Sequence, residues 1–269
     1  MGHQEASRVK SASAYTPMMQ KQEEYEKMAA VERDMWWFKA LHQQVYSAIR
    51  KQFSSTSIKI LDAGCGTGGL ISYLQEKGYN HVQGFDLSEY GLQFCRQREL
   101  DVWEGNVTHV QEYAPENSLD VIICNDVFCY LTKEERLSTI TSFQKLLKKG
   151  GLLIMNNASL NAYRGKHDIA VGVGQRFSRK RILTWFKGTA FRPLQARYWP
   201  LLLAPIIFVF RSAQRVSNRN ASSLETQSDV KLPALWINRL LLRITQMELK
   251  LFDTAFTGSS FFIVVKNGE

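Results

Sequence analysis

Residues 60–69 read Ile-Leu-Asp-Ala-Gly-Cys-Gly-Thr-Gly-Gly and constrain the fold more than any other stretch of the chain. An apolar run (Ile58, Ile60, Leu61) ends at Asp62, four glycines follow, and Leu70, Ile71, Tyr73 and Leu74 recur at helical spacing. The pattern predicts a strand, a tight turn and a helix N-terminus, where a nucleotide-like cofactor approaches bare backbone. The turn fits Gly-x-Gly-x-x-Gly, which many cofactor folds share. Asp62 narrows it: a carboxylate beside the turn repels a pyrophosphate and suits a cofactor carrying an ammonium and a sulfonium.

From Ile58 onward apolar runs alternate with helical patterns. Strands are expected at 58–63, 81–86, 100–104, 119–125, 151–157 and 191–199, with Phe261 to Val265 closing the set. Helices are expected at 68–77, 88–98, 133–148 and 178–187. Such alternation predicts an α/β fold, a parallel sheet covered on both faces with ligands at the carboxyl ends of its strands. Residues 1–22 read as a flexible N-terminus and 23–56 as an N-terminal helical lid, with one helical pattern from Glu23 to Lys51 carrying Trp36-Trp37-Phe38. The core is expected at 57–199, a helical insertion at 200–257 and the final strand at 258–269.

Gly84-Phe85-Asp86-Leu87-Ser88 ends the second expected strand, where a carboxylate can accept both ribose hydroxyls of an adenosine. The alternative is an N-cap, a role Ser88 already suits. The run Asp62-Ala-Gly64-Cys-Gly66-Thr-Gly68 resembles the first motif of class I S-adenosylmethionine-dependent methyltransferases. That resemblance implies a Rossmann-like seven-stranded sheet with its last strand antiparallel. It also implies S-adenosylmethionine as cofactor and S-adenosylhomocysteine as product. Asp62, Gly64, Gly66 and Gly68 would form the cofactor turn, Asp86 and Leu87 would meet the ribose, and Asn106 with Val107 the adenine. Asn125, at the end of the fourth strand, would lie near the sulfonium. Tyr130 stands where many relatives carry His and is expected to shape the pocket. Lys148-Lys149-Gly150-Gly151 matches the turn into the fifth strand, its glycine supplying the helix stop.

The segment from Tyr163 through His167-Asp168 to Arg176-Phe177 is similar to a bacterial-type subgroup of these enzymes. The subgroup also carries the Trp-Trp-Phe block, the Tyr198-Trp199 to Pro205 segment and Ser228-Asp229-x-x-Leu232-Pro233. The resemblance covers about residues 23–266. An Arg common in the N-terminal helix is Leu41 here, and Lys39 is the substitute at hand. Trp37, Tyr130, Tyr163 and Arg176 are the expected acceptor contacts. His167 is the expected general base, since an oxygen or nitrogen nucleophile must lose a proton as it takes the methyl group. Asp168 would orient its ring; the alternative has both side chains satisfying loop backbone.

The net charge of +9 comes from scattered clusters, Lys148-Lys149, Arg176 to Arg181, and Arg211, Arg215 and Arg219. No nucleic-acid-binding motif accompanies them, so no nucleic-acid partner is expected. The four cysteines lack metal-ligand spacing, and reduced thiols in a cytoplasmic setting are expected, with no metal. Residues 1–24 lack the apolar segment of a signal peptide.

Tyr198 to Phe210 is too short to span a bilayer, and Pro200 and Pro205 break a straight helix. Either this run lies in a membrane interface, with Trp199 at headgroup depth and Arg211, Arg215 and Arg219 on anionic lipid, or it is buried under an amphipathic helix at 233–252 as a cap over substrate. Both imply a small apolar or amphiphilic acceptor, in a cytoplasmic protein with or without peripheral membrane association. The oligomeric state is left open. The expected activity is methyl transfer to oxygen. The alternatives are N- or C-methylation of a small metabolite, or an inactive S-adenosylmethionine-binding interaction protein.

Overall fold

The computed structural model describes residues 21–217 and 228–268. The expected flexible segment 1–20, most of the polar linker 217–229 and Arg219 lie outside the described residues.

Helices α1 (Gln22–Val31) and α2 (Trp36–Gln52) precede β1 (Ile60–Ala63), α3 (Gly69–Glu76), β2 (Val82–Asp86), α4 (Glu89–Gln97), β3 (Val102–Glu104) and β4 (Leu119–Asn125). Then come α5 (Lys133–Leu146), β5 (Leu147–Ala158), α6 (Lys166–Ala170), α7 (Arg179–Thr184), β6 (Phe191–Trp199), α8 (Ala204–Ser217), α9 (Leu235–Leu251) and β7 (Ser260–Asn267). The sheet order is β3-β2-β1-β4-β5-β7-β6. β7 runs antiparallel to both β5 and β6, and the remaining pairs are parallel. This is the seven-stranded Rossmann-like α/β sheet that the sequence predicts.

Because helices cover both faces, alternate residues of one strand enter two separate cores. Val121 and Ile123 of β4 join Leu152 and Ile154 of β5 beneath α2, α3 and α4. Ile122 and Cys124 join Leu153 and Met155 beneath α5 and α7. Between β1 and α3 the chain turns through Gly64, Gly66 and Gly68, all with positive φ. At Gly64 (φ +86°) a Cβ would stand 2.3 Å from Val127 Cγ2, so glycine is required there twice over.

Four local expectations are corrected. The helical pattern 23–51 is two helices, with a turn at 32–35 that lets the Glu32 carboxylate accept from Gly69 N (3.1 Å) at the start of α3. Gly150 does not stop α5. The helix ends at Leu146, Leu147 is already extended, and Gly150 (φ +81°) lies within the irregular first part of β5. Pro205 does not break a helix but occupies the first turn of α8, where a missing N–H costs nothing. α9 does not bury its apolar stripe: Asn238, Thr245 and Glu248 face inward, while Leu235, Trp236, Leu240, Met247 and Leu251 are exposed.

Polar partners on distant segments explain that last inversion. Asn238 Oδ1 accepts from Trp36 N and its Nδ2 donates to Asp34 O, both at 2.8 Å. The Glu248 carboxylate accepts from Leu201 N and Leu202 N, also at 2.8 Å. α9 thus clamps the turn between α1 and α2 and the approach to α8.

Candidate active site

One cavity of about 410 Å³ opens at the carboxyl ends of β1, β2 and β4. The glycine turn, β2 and β3 form one part of its wall. α1, α2, the segment after β5 and α8 form the rest.

Gly64 and Gly66 present backbone to the cavity. A Cβ on Gly66 would meet only Met28, its Cε at 3.0 Å and Sδ at 3.9 Å. Asp86 and Leu87 follow from the end of β2, then Asn106 and Val107 after β3, then Asn125 at the end of β4. The Asp86 carboxylate accepts from Gly66 N (2.8 Å) and Ser88 N (2.9 Å). Burial pushes its pKa up, and these amide donors pull it partly back. Ser88, expected as the N-cap of α4, makes no side-chain cap hydrogen bond; its own amide is held by Asp86. Asn106 Oδ1 accepts from Thr108 N (3.0 Å), and Asn125 Oδ1 from Asn156 N (2.9 Å).

Asp62 and Gly68 do not line the cavity. Gly68 packs against Leu100 and Cys95. Asp62 is buried behind the turn. Burial, with Asp86 and Glu32 nearby, raises its pKa to about 7. Its expected place against the cofactor is corrected to one beneath the turn.

The other part of the wall is mostly apolar: Met28, Met35, Trp36, Trp37 and Phe38 from α1 and α2, Val171 and Val173, and Ile207 and Phe210 from α8. Tyr130 lines it and donates its hydroxyl to Val171 O (3.0 Å), while Tyr163 shares a 2.7 Å hydrogen bond with Thr257 Oγ1. His167 also lines it. Its pKa is lowered, chiefly by burial, so the imidazole is neutral near pH 7, and Nδ1 has no hydrogen-bond partner.

Asp168 does not orient His167. Its carboxylate accepts from Gly165 N (2.8 Å) and holds Arg176 through Nε (2.7 Å) and Nη2 (3.2 Å). Arg176 in turn donates from Nη1 to Ser159 O (2.8 Å) and Ser259 O (2.9 Å). Both residues touch the cavity, yet their polar atoms stitch the post-β5 loop to the start of β7. Arg176, an expected acceptor contact, thus lines the cavity with its guanidinium already engaged by Asp168 and two carbonyls. Lys39 pairs with Asp34 (3.3 Å) away from the cavity, so it does not replace the missing arginine.

The membrane-facing roles expected of three residues also change. Trp199 is fully buried. Its ring stacks on Trp37 (5.4 Å), and Nε1 donates to Asn156 Oδ1 (2.9 Å). Arg211 donates to Asp229 Oδ2 (2.7 Å) on the cavity rim, and Arg215 to the carbonyls of Ala162 and Arg164. Arg215 thus fastens α8 to the segment that leads into α6, which carries His167, and Arg211 ties α8 to Asp229.

Two cavity carboxylates escaped the sequence reading. Asp126, in left-handed backbone (φ +56°), accepts from Asn156 Nδ2 (2.8 Å). Burial raises its pKa to about 6. Its only signal was its place directly after a strand end. Glu24 is buried on amphipathic α1, accepting from Lys27 Nζ (2.9 Å) and Ser228 N (3.1 Å). Nothing in its neighbourhood of the sequence distinguished it from a solvated helix residue.

Residues 60–151 match a protein family described as a methyltransferase domain. Over 107 residues the chain is 33% identical to phosphoethanolamine N-methyltransferase 1 of Arabidopsis thaliana, covering 37% of this chain and 21% of that one. Over 152 residues it is 28% identical to the ubiquinone biosynthesis O-methyltransferase of Vibrio parahaemolyticus, covering 51% and 61%. The chain therefore spans less than two thirds of either relative. Geranyl diphosphate C-methyltransferase of Streptomyces coelicolor, solved with S-adenosyl-L-homocysteine, has the same fold. Its TM-score is 0.53 at 14% identity, with 84% of this chain and 78% of that chain covered. The chain thus shares the fold of solved S-adenosylmethionine-dependent methyltransferases, and its residues 60–151 match a methyltransferase domain.

Proposed function

We propose that this protein transfers a methyl group from S-adenosylmethionine to an oxygen of a small apolar or amphiphilic acceptor, with His167 as general base. The observation that carries the reading is a neutral imidazole, its Nδ1 without a hydrogen-bond partner among the described residues, on the wall of the same cavity that the glycine turn and Asp86 line. When bound, the cofactor supplies an electrophilic methyl on a sulfonium for in-line displacement. Gly64 and Gly66 would offer bare backbone to it, and the Asp86 carboxylate, already fixed by the Gly66 and Ser88 amides, would accept from the ribose hydroxyls. Asn106 and Val107 border the adenine, and Asn125 stands at the methionine end. His167 takes the acceptor's hydroxyl proton as the new C–O bond forms, an effect typically worth about 10²–10⁴-fold. Trp36, Trp37 and Phe38 act as the lid that excludes water, and the apolar wall selects the acceptor class.

Asp126 favours a second reading. A cavity carboxylate with no cationic partner within salt-bridge distance among the described residues suits an ammonium, and hence an amine acceptor and N-methylation. Calorimetric titration with S-adenosylhomocysteine, using Asp86→Ala as control, tests the cofactor half. Turnover of His167→Ala and Asp126→Asn on matched phenol and amine panels tests the acceptor half. Loss of phenol methylation in His167→Ala at unchanged cofactor affinity supports the base. Loss confined to amines in Asp126→Asn favours the second reading. Tight S-adenosylhomocysteine binding with no product from any acceptor overturns both in favour of an inactive binding protein.

A further inference from the structure

α9 presents to solvent the side chains that a surface helix normally hides. Its buried residues are polar, whereas Trp236 is 70% exposed and Leu235, Leu240, Met247 and Leu251 are exposed with it. α8 does the same: Ile206, Val209 and Val216 point outward, and Phe210 is 53% exposed while also lining the cavity. Glu248 of α9 holds the amides of Leu201 and Leu202, so the start of α8 is fastened to α9. Exposed Leu202 and Ile206 flank that joint on one chain segment, and exposed Met247 and Leu251 on the other. Exposed apolar side chains gathered on both sides of one joint mark an interaction site.

Charge identifies the partner. Arg239, Arg243 and Lys250 are exposed on the same face of α9 as Trp236 and Met247. Glu248, the one acidic residue of α9, is buried, and α8 contains none. The outward face therefore combines apolar side chains with positive charge alone. Two copies of such a face would set cations against cations, which disfavours self-association. An anionic lipid surface satisfies both features, taking aromatic and aliphatic side chains at the acyl boundary and guanidinium and ammonium groups at the phosphates. No helix among the described residues is long and apolar enough to cross a membrane, so the two helices would lie in the interface.

We infer that α8 and α9 form a docking face for an anionic lipid bilayer, and that the acceptor enters the cavity from that bilayer past Phe210. The entry route rests on the proposed apolar or amphiphilic acceptor; the docking face does not.

The test is flotation of the full chain with vesicles of phosphatidylcholine alone, and of three parts phosphatidylcholine to one part phosphatidylglycerol, at low and high salt. Trp236→Ser with Leu240→Ser, and Arg239→Glu with Arg243→Glu, are the comparison variants, since none of these residues lines the cavity. The expected result is binding to the anionic vesicles, weakened about tenfold or more by high salt and by either double variant. S-adenosylhomocysteine titration and circular dichroism should match the parent. Absence of flotation with anionic vesicles, or flotation undiminished in both variants, overturns the docking face whatever the titration shows. A dimer that Trp236→Ser with Leu240→Ser dissociates assigns the face to a second copy and also overturns it. Intact flotation without S-adenosylhomocysteine binding supports the docking face while striking the methyltransferase reading.

Discussion

Trp37 and Trp199 stack with ring centroids 5.4 Å apart and planes 19° from parallel. Trp37 lines the cavity from α2, whereas Trp199 ends β6 and bonds Asn156, whose own amide donates to Asn125 at the end of β4. The stack thus couples the N-terminal helices to the strand ends beneath the cavity. Trp199→Ala should cost about 3–5 kcal/mol in urea unfolding, as for a large buried aromatic. Trp199→Phe keeps a ring but leaves Asn156 Oδ1 unpaired, and should cost about 1–3 kcal/mol.

Asp168→Asn should leave Arg176 buried without its counter-charge and destabilise by about 3–5 kcal/mol. Arg176→Lys should restore little, because one ammonium cannot serve a bidentate carboxylate and two carbonyls. Thermal unfolding measures both. If Asp168→Asn unfolds like the parent yet loses turnover, the stitching role assigned to the pair is wrong.

Asp62 sets a pH dependence of stability. Its native pKa of about 7 lies above the ordinary carboxyl value, so between those limits the native chain binds more protons than the unfolded chain. Its contribution is fully present below about pH 4 and is lost as pH rises through 7. Asp62→Asn should therefore gain stability relative to the parent as pH rises from 5 to 8 in a denaturant series. A parallel pair of curves would show that Asp62 ionises normally.

His167 predicts the acid limb of turnover. Because burial lowers its pKa, activity should fall only below about pH 6.5, as the imidazole gains a proton and ceases to be a base. The pH–rate profile of residual activity in His167→Ala should lack that limb, with S-adenosylhomocysteine affinity unchanged.

The parts legible in the sequence share one property: the signal and the structure are local. Strands buried on both faces, such as Val121 to Cys124 and Phe261 to Val265, read as continuous apolar runs. The glycine turn and Asp86 announce themselves by spacing within one strand-helix-strand unit. The misreadings come from partners outside the local sequence pattern. His167 and Asp168 are adjacent, but neighbouring side chains on a helix diverge, and Asp168 belongs to Arg176. The stripe of α9 suggested an apolar buried face. Its packing was decided instead by Trp36, Asp34, Leu201 and Leu202, which meet Asn238 and Glu248 from distant segments. Trp199 looked like a surface anchor because its run is apolar and basic residues follow, while its stacking partner lies at the other end of the chain.

β6 and β7 are adjacent in the sheet, with Trp199 opposite Ser260. Everything between them, α8 and α9 included, is therefore one long excursion from a β-hairpin whose two stems are already pinned together. Changing the length of such an excursion alters its closure cost only slowly and leaves the sheet register untouched. The proposed lipid-facing surface and part of the cavity wall therefore sit on this excursion, whereas the glycine turn and Asp86 belong to the strand-helix-strand base. The excursion can change in length or lining while the turn that opens on the cavity keeps its geometry.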